Sequence, residues 1–248
     1  MQTIDEILQE LQRIIGDSVE ANDYLSIFAW VYWRTTQRIQ EGIQRGEFLD
    51  SAAMERFDVA FAKRYIDAYW QFRRHETPTS SWLVSFQART QPLTIIQHLL
   101  LGMNAHIHFD LGLVAAEHAT HSDLKTLETD FMKVNDILEE LIDEVQNRVG
   151  RVSRIVIWID RLGGQRDEAL ANSSIRISRQ YAWHVARQLL QRSPEQRPQY
   201  IEQTDVYVAR VGQRIVAPPL RPLRWLLRII SRFEEKEVQQ IIRHLEKI

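Results

Sequence analysis

Apolar residues recur at three- and four-residue intervals along almost the whole chain, and period-two alternation is nearly absent. The pattern therefore predicts amphipathic helices rather than strands. Helices are expected at about 3–15, 22–45, 51–75, 80–88, 92–119, 122–148, 166–193, 197–214, 219–231 and 234–247. Asn22 or Asp23, Asp50 or Ser51, Ser122, and Ser193 before Pro194 stand where helix caps are needed, while Gly46 and Gly150 mark ends. RVSRIVIWID at 151–160 has the β-branched content of a strand but no visible partner strand, so it reads as helix or extended linker. Gly163-Gly164 marks a turn, and VAPPLRP at 216–222 is a rigid connector before the last two helices. The expected fold is all-α. A single multi-helix bundle, spanning 1–248, surrounds a buried central helix at about 92–119, with a basic C-terminal helical arm, 215–248, packed on it.

The central helix breaks the pattern that defines it. QPLTIIQHLLLGMNAHIHFDLGLVAAEHATH, at 91–121, is apolar yet carries Gln97, His98, Asn104, His106, His108, Asp110, Glu117 and His118. An unpaired buried amide or imidazole costs roughly 2–7 kcal/mol and an isolated carboxylate more, so these groups need partners, a metal or a solvated cleft. The stretch is long enough to cross a membrane, but three His, one Asn, one Gln and one Asp within 93–116 argue for a core helix instead.

At about 100° per residue, His106 and Asp110 share a face with Gly102, Leu113 and Glu117, whereas His108 points away beside Asn104. A His and an Asp one turn apart suit a divalent metal (Zn, Fe or Mn) or an acid/base couple in which the carboxylate orients the imidazole. They could equally satisfy each other. His98, His118 and His121 lie near helix ends, where solvent or caps explain them. Gly102, one turn before His106, permits close approach of a neighbour.

Other helices could complete a site. Asp58 and Tyr65 lie on one stripe with Phe61 or Ala62, Asp130 and Asn135 fall among apolar residues, and Arg179 sits one turn from Trp183, beside His184. The catalytic candidates are accordingly Asp58, Tyr65, His106, Asp110 and Arg179, with Arg179 a buried cation for Asp110 or Asp58. The candidate metal ligands are His106, Asp110, Asp130 and His184. Trp30, Trp33, Tyr65, Tyr69, Trp70 and Trp183 could instead line a pocket for an apolar small molecule.

Composition removes several classes. With no cysteine there is no disulfide, thiolate catalysis or cysteine-ligated cluster, and any metal must use N and O ligands. A net charge of −2 gives no reason to expect nucleic acid. MQTIDEILQELQRII lacks the basic start and unbroken apolar core of a signal peptide, so a cytoplasmic location is expected. No P-loop, dinucleotide glycine fingerprint, G-x-S-x-G elbow or H-E-x-x-H pair is present. Charge is nevertheless uneven: residues 210–248 hold nine Lys/Arg against four Glu, and Arg221, Arg224, Arg228 and Arg232 punctuate an apolar helix. Such a helix can lie on an anionic membrane, dock on an acidic partner, or pack on its own bundle with Arg stems covering apolar surface.

LGMNAHIHFDL at 101–111, with FDVAFAKRY at 57–65, DFMKVND at 130–136 and ISRQYAW at 177–183, resembles an uncharacterised bacterial all-helical domain-of-unknown-function family (DUF5995-like) across nearly the whole chain. Its signature helix reads much like G-x-N-A-H-I-x-x-D-L. The resemblance implies hallmark roles for His106, Asp110, Asp58, Tyr65, Asp130, Asn135, Arg179 and Trp183, and no established reaction. More distantly, G-x-x-x-H-x-x-x-D at 102–110 is similar to a helix of the zinc-dependent phospholipase C and P1-type nuclease group. That group also binds zinc through its N-terminal amino group and a Trp, and Met1-Gln2 has no equivalent here.

Three functions are expected on these grounds: a metal-dependent enzyme of hydrolase type built on His106 and Asp110, a non-catalytic binding module for an apolar small molecule, or a membrane-surface or protein-interaction protein working through the arm.

Overall fold

The computed structural model describes residues 1–119, 126, 128–138, 148 and 166–246, with the backbone alone for 166–174. Among the described residues all regular structure is helical. Ten helices run in order: α1 (Ile4–Glu20), α2 (Leu25–Gln44), α3 (Ser51–Arg73), α4 (Ser80–Gln87), α5 (Ile95–Ala105), α6 (Leu111–Ala119), α7 (Arg166–Leu190), α8 (Arg197–Val216), α9 (Arg221–Phe233) and α10 (Val238–Glu246). Residues 128–138 are also helical, inside the helix expected over 122–148. The segment 151–160, expected as helix or linker, lies outside the described residues.

The helix expected over 92–119 is α5 and α6 joined through one turn of π-helix, His106–Asp110. It begins at Ile95 because Thr94 and Gln97 form a reciprocal capping box, each side chain satisfying the other's backbone amide. Its 25 residues, Ile95–Ala119, are long and apolar enough to span a membrane, yet they are mostly buried inside the protein. Helices α2, α3, α4, α7 and α8 pack around this central element, while α1 pairs with α2. The buried stripe of α1, Ile4, Ile7, Leu11 and Ile14, shows the period that sequence pattern predicts. Gly102 admits the Phe28 ring: a Cβ there would lie 2.3 Å from Phe28 Cγ. The close approach expected at Gly102 is thus a core contact.

Helix starts are tied across the chain by side chains distant in sequence. Asp130 accepts from the amides of Leu49 (2.8 Å) and Asp50 (3.0 Å) at the start of α3. Asp205 of α8 takes the amides of Ser80 (2.7 Å) and Ser81 (2.8 Å) at the start of α4. Glu234 takes the Ile95 amide at 2.9 Å, and Asn22 takes the Val238 amide at 2.8 Å. Each satisfies donors that no helix can satisfy internally and places negative charge or an oxygen dipole at the positive end of the dipole.

Helix α10, expected from 234, begins at Val238 because Glu234 is occupied in capping α5. Val238, Ile241, Ile242 and Leu245 are buried against α1 and α2. The C-terminal part of the expected arm therefore belongs to the core. Asp130→Ala should lower stability by about 1–3 kcal/mol in urea unfolding, the cost of leaving two inward amides without an acceptor. Asp130→Asn, which keeps one carbonyl acceptor, should recover part of that loss.

Candidate functional site

Five polar groups of the central helix find protein partners. Gln97 Nε2 donates to the Ile215 carbonyl at 2.7 Å and Asn104 Nδ2 to the Val208 carbonyl at 3.0 Å, both on α8. His108 Nδ1 meets Asn104 Oδ1 at 3.1 Å, the pairing that their shared face predicts. His106 Nδ1 and the indole Nε1 of Trp82, from α4, both donate to Asp110 Oδ2, at 3.1 and 2.8 Å.

Since Asp110 holds the Nδ1 hydrogen, the lone pair of His106 lies on Nε2, and that atom is buried without a hydrogen-bond partner among the described residues. Burial holds the imidazole below its usual pKa, against the opposing pull of the Asp110 hydrogen bond and charge, so the ring is neutral near pH 7. Its surroundings are aromatic. Phe61 stacks on it, with ring centroids 3.7 Å apart and planes 6° apart, and Tyr32 meets it edge-on at 4.5 Å. Phe28, Trp82 and Tyr65 stand at 5.8, 5.9 and 6.1 Å.

The shell is set by the same cross-ties that order the helices. Asp205 fixes the start of α4 two residues before Trp82, and Asp130 fixes the start of α3, which carries Asp58, Phe61 and Tyr65. Asp58 is buried, and its Oδ2 has no hydrogen-bond partner among the described residues. Burial, with the nearby Glu55 charge second, pushes its carboxyl up to about 7. Tyr32 stands well above its usual pKa, through burial first and then the Asp58 and Asp110 charges, so the three groups share one electrostatic neighbourhood. Beside the shell, a water-sized cavity of about 10 Å³ is lined by Phe28, Tyr65, Trp82, Ser85, Tyr24 and His98, among others. The Tyr65 hydroxyl and His98 Nε2 have no partners among the described residues. His98 is buried rather than resting at an exposed helix end, and burial, aided by the Lys236 charge, depresses it to about 4.

The expected metal set does not assemble. Asp130 is committed to the start of α3 and His184 is exposed on α7. Asp110 Oδ2 is already shared by two N–H donors, and no group of three His, Asp or Glu side chains comes together among the described residues. Among the described residues, His106, Asp110, Asp130 and His184 therefore share no ligand set for a tetrahedral or octahedral ion.

Arg179 is likewise no partner for Asp58 or Asp110. It donates to the Phe131 carbonyl at 2.5 Å and stacks 4.3 Å over the Phe131 ring, and burial lowers it to about 9. Its role is to hold α7 against the helical segment 128–138. Glu117 is exposed and paired with Arg64, off the His106 face, because the π turn inserts a residue and rotates the downstream helix by roughly 100°.

Of the six residues expected to line an aromatic pocket, Tyr65 alone reaches the cavity. Trp70 bonds Glu10 at 2.7 Å and Trp183 packs 5.0 Å from Phe131. The shell uses Phe28, Tyr32, Phe61 and Trp82, whose only sequence signal was apolar spacing.

The buried acid and imidazoles pull stability in opposite directions with pH. Asp58, raised above its unfolded value, contributes most at low pH and loses that contribution as pH rises from about 4 through 7. His98, depressed, contributes most above about 6.5 and loses it as pH falls toward 4. In urea titrations, Asp58→Asn should gain stability over wild type progressively between pH 4 and 7, level off above, and reach a few kcal/mol. A pH-independent difference would remove Asp58 from this balance.

No curated protein and no solved structure matches the chain. A family model does match, over residues 4–218, which takes in α1 to α8, the π turn and every member of the aromatic shell, and ends before α9. The chain belongs to the family of unknown function DUF5995.

Proposed function

We propose that this protein binds a small, mostly apolar molecule that carries one hydrogen-bond donor, with the donor meeting His106 Nε2 inside the aromatic shell. The single observation behind this reading is a buried imidazole lone pair, oriented by Asp110 and Trp82, with nothing to accept from among the described residues. An unsatisfied buried acceptor costs about 1–3 kcal/mol, and a ligand donor would recover it. Phe28, Tyr65 and Trp82 belong both to the shell and to the adjoining cavity, so the cavity is the route inward, widened by movement of side chains such as Phe28.

The polarity of the pair is also that of a general base: the carboxylate holds Nδ1–H and leaves Nε2 free to take a proton from a bound O–H or N–H. This chemistry needs no metal. A π turn at the pair fits the reading, because such turns occur frequently at functional sites.

Phenol and benzene form a test that requires no substitution. Phenol should saturate a shift of the His106 imidazole nitrogen and the Trp82 indole in NMR spectra, and bind roughly five- to 150-fold more tightly than benzene. Equal affinities, or no saturable response to either, would discard the reading. Metal analysis of protein purified without chelator should find no stoichiometric zinc, iron or manganese. Near-stoichiometric metal that disappears in His106→Ala would restore the metal-dependent hydrolase in its place.

A further inference from the structure

Helix α9 is the least buried helix of the described fold: only Ser231 is buried, through a hydrogen bond from its hydroxyl to the Pro92 carbonyl at 3.1 Å. It is nevertheless not a loose tail. Pro218 and Pro219 end the chain leaving α8, and Arg224 Nε and Nη2 bond the Pro218 carbonyl at 3.2 and 2.9 Å. Immediately after α9, Glu234 caps α5, and α10 then enters the core. The helix is a strap fastened at both ends, so its outer face is held outward.

That face is apolar. Trp225 is 67% exposed, Phe233 64% and Leu226 45%. At 100° per residue they form one outer surface with Ile229, and the exposed Arg221, Arg228 and Arg232 run along one edge of it. Residues 221–233 contain no acid. A large apolar face with tryptophan at its border and arginines along its edge has the build of an interfacial helix, whose apolar side enters the acyl boundary while guanidiniums reach phosphates. Acidic phospholipid supplies the negative charge that these arginines do not meet among the described residues. A second copy of this chain would present the same acid-free helix.

We propose that α9 docks the protein onto an anionic lipid bilayer. The helix lies flat in the interface with Trp225, Leu226 and Phe233 inserted and Arg221, Arg228 and Arg232 on lipid phosphates.

Sedimentation of the full chain with vesicles of phosphatidylcholine, with and without phosphatidylglycerol, tests this directly. Binding should require the anionic lipid and fall with salt. Arg228→Gln and Arg232→Gln should each weaken it roughly fivefold at low salt. Phe233→Ser or Trp225→Ser should abolish it while leaving thermal unfolding nearly unchanged, since both side chains are about two-thirds exposed. No sedimentation with any vesicle, or equal sedimentation with neutral and anionic ones, overturns the proposal. Self-association lost in Phe233→Ser, without vesicle binding by the wild type, would overturn it in favour of a contact between copies.

Discussion

The fold depends on how a carboxyl group is kept in the middle of its most apolar helix. Asp110 is buried, and burial without donors would cost several kcal/mol. Two N–H groups prevent that cost, one from the same helix and one from α4, so Trp82 cannot move without exposing the acid to an apolar wall. Because Trp82 packs on Phe28, Tyr65 and Phe86, holding it also holds α2 and α3 around the centre. One hydrogen-bond hub thus sets the spacing of four helices, and the unpaired Nε2 of His106 is its by-product.

Around this hub the helices are registered by their ends. Side-chain oxygens that an isolated helix or turn would leave solvated reach across to bare amides at the start of another helix: Asp130, Asp205, Glu234 and Asn22 each do so. Packing of apolar stripes alone tolerates sliding by a turn, whereas an amide pair accepts one position of its carboxylate. The directional ties and the non-directional core divide the work of specifying position and supplying stability.

Much of this was legible from spacing. The all-helical class, the buried central element, the His106–Asp110 and His108–Asn104 pairings and the cap at Asp50 all come from local periodicity or from neighbours three and four residues apart. Most of the features that were not legible are long-range. Nothing local distinguishes an acid that caps a remote helix, such as Asp130, from one aimed at a metal. A cation that faces a carbonyl and a ring, such as Arg179, looks the same in sequence as one that faces an acid. The π turn also hides in an ordinary helical pattern, and it rotated Glu117 away from the face where straight-helix counting put it. The shell residues Phe28, Tyr32, Phe61 and Trp82 read as plain core, because stacking on an imidazole and stacking on a leucine need the same residue types.

The bond between Asn22 and the Val238 amide joins positions 216 residues apart, and the apolar faces of α1 and α2 that receive α10 are complete only when it arrives. At ribosomal rates of 5–20 residues per second, Asn22 waits roughly ten to forty seconds for its partner. During that interval the isoleucines and leucines of α1 and α2 that meet α10 stay uncovered by it, so closing this seam is a late, long-range step of folding.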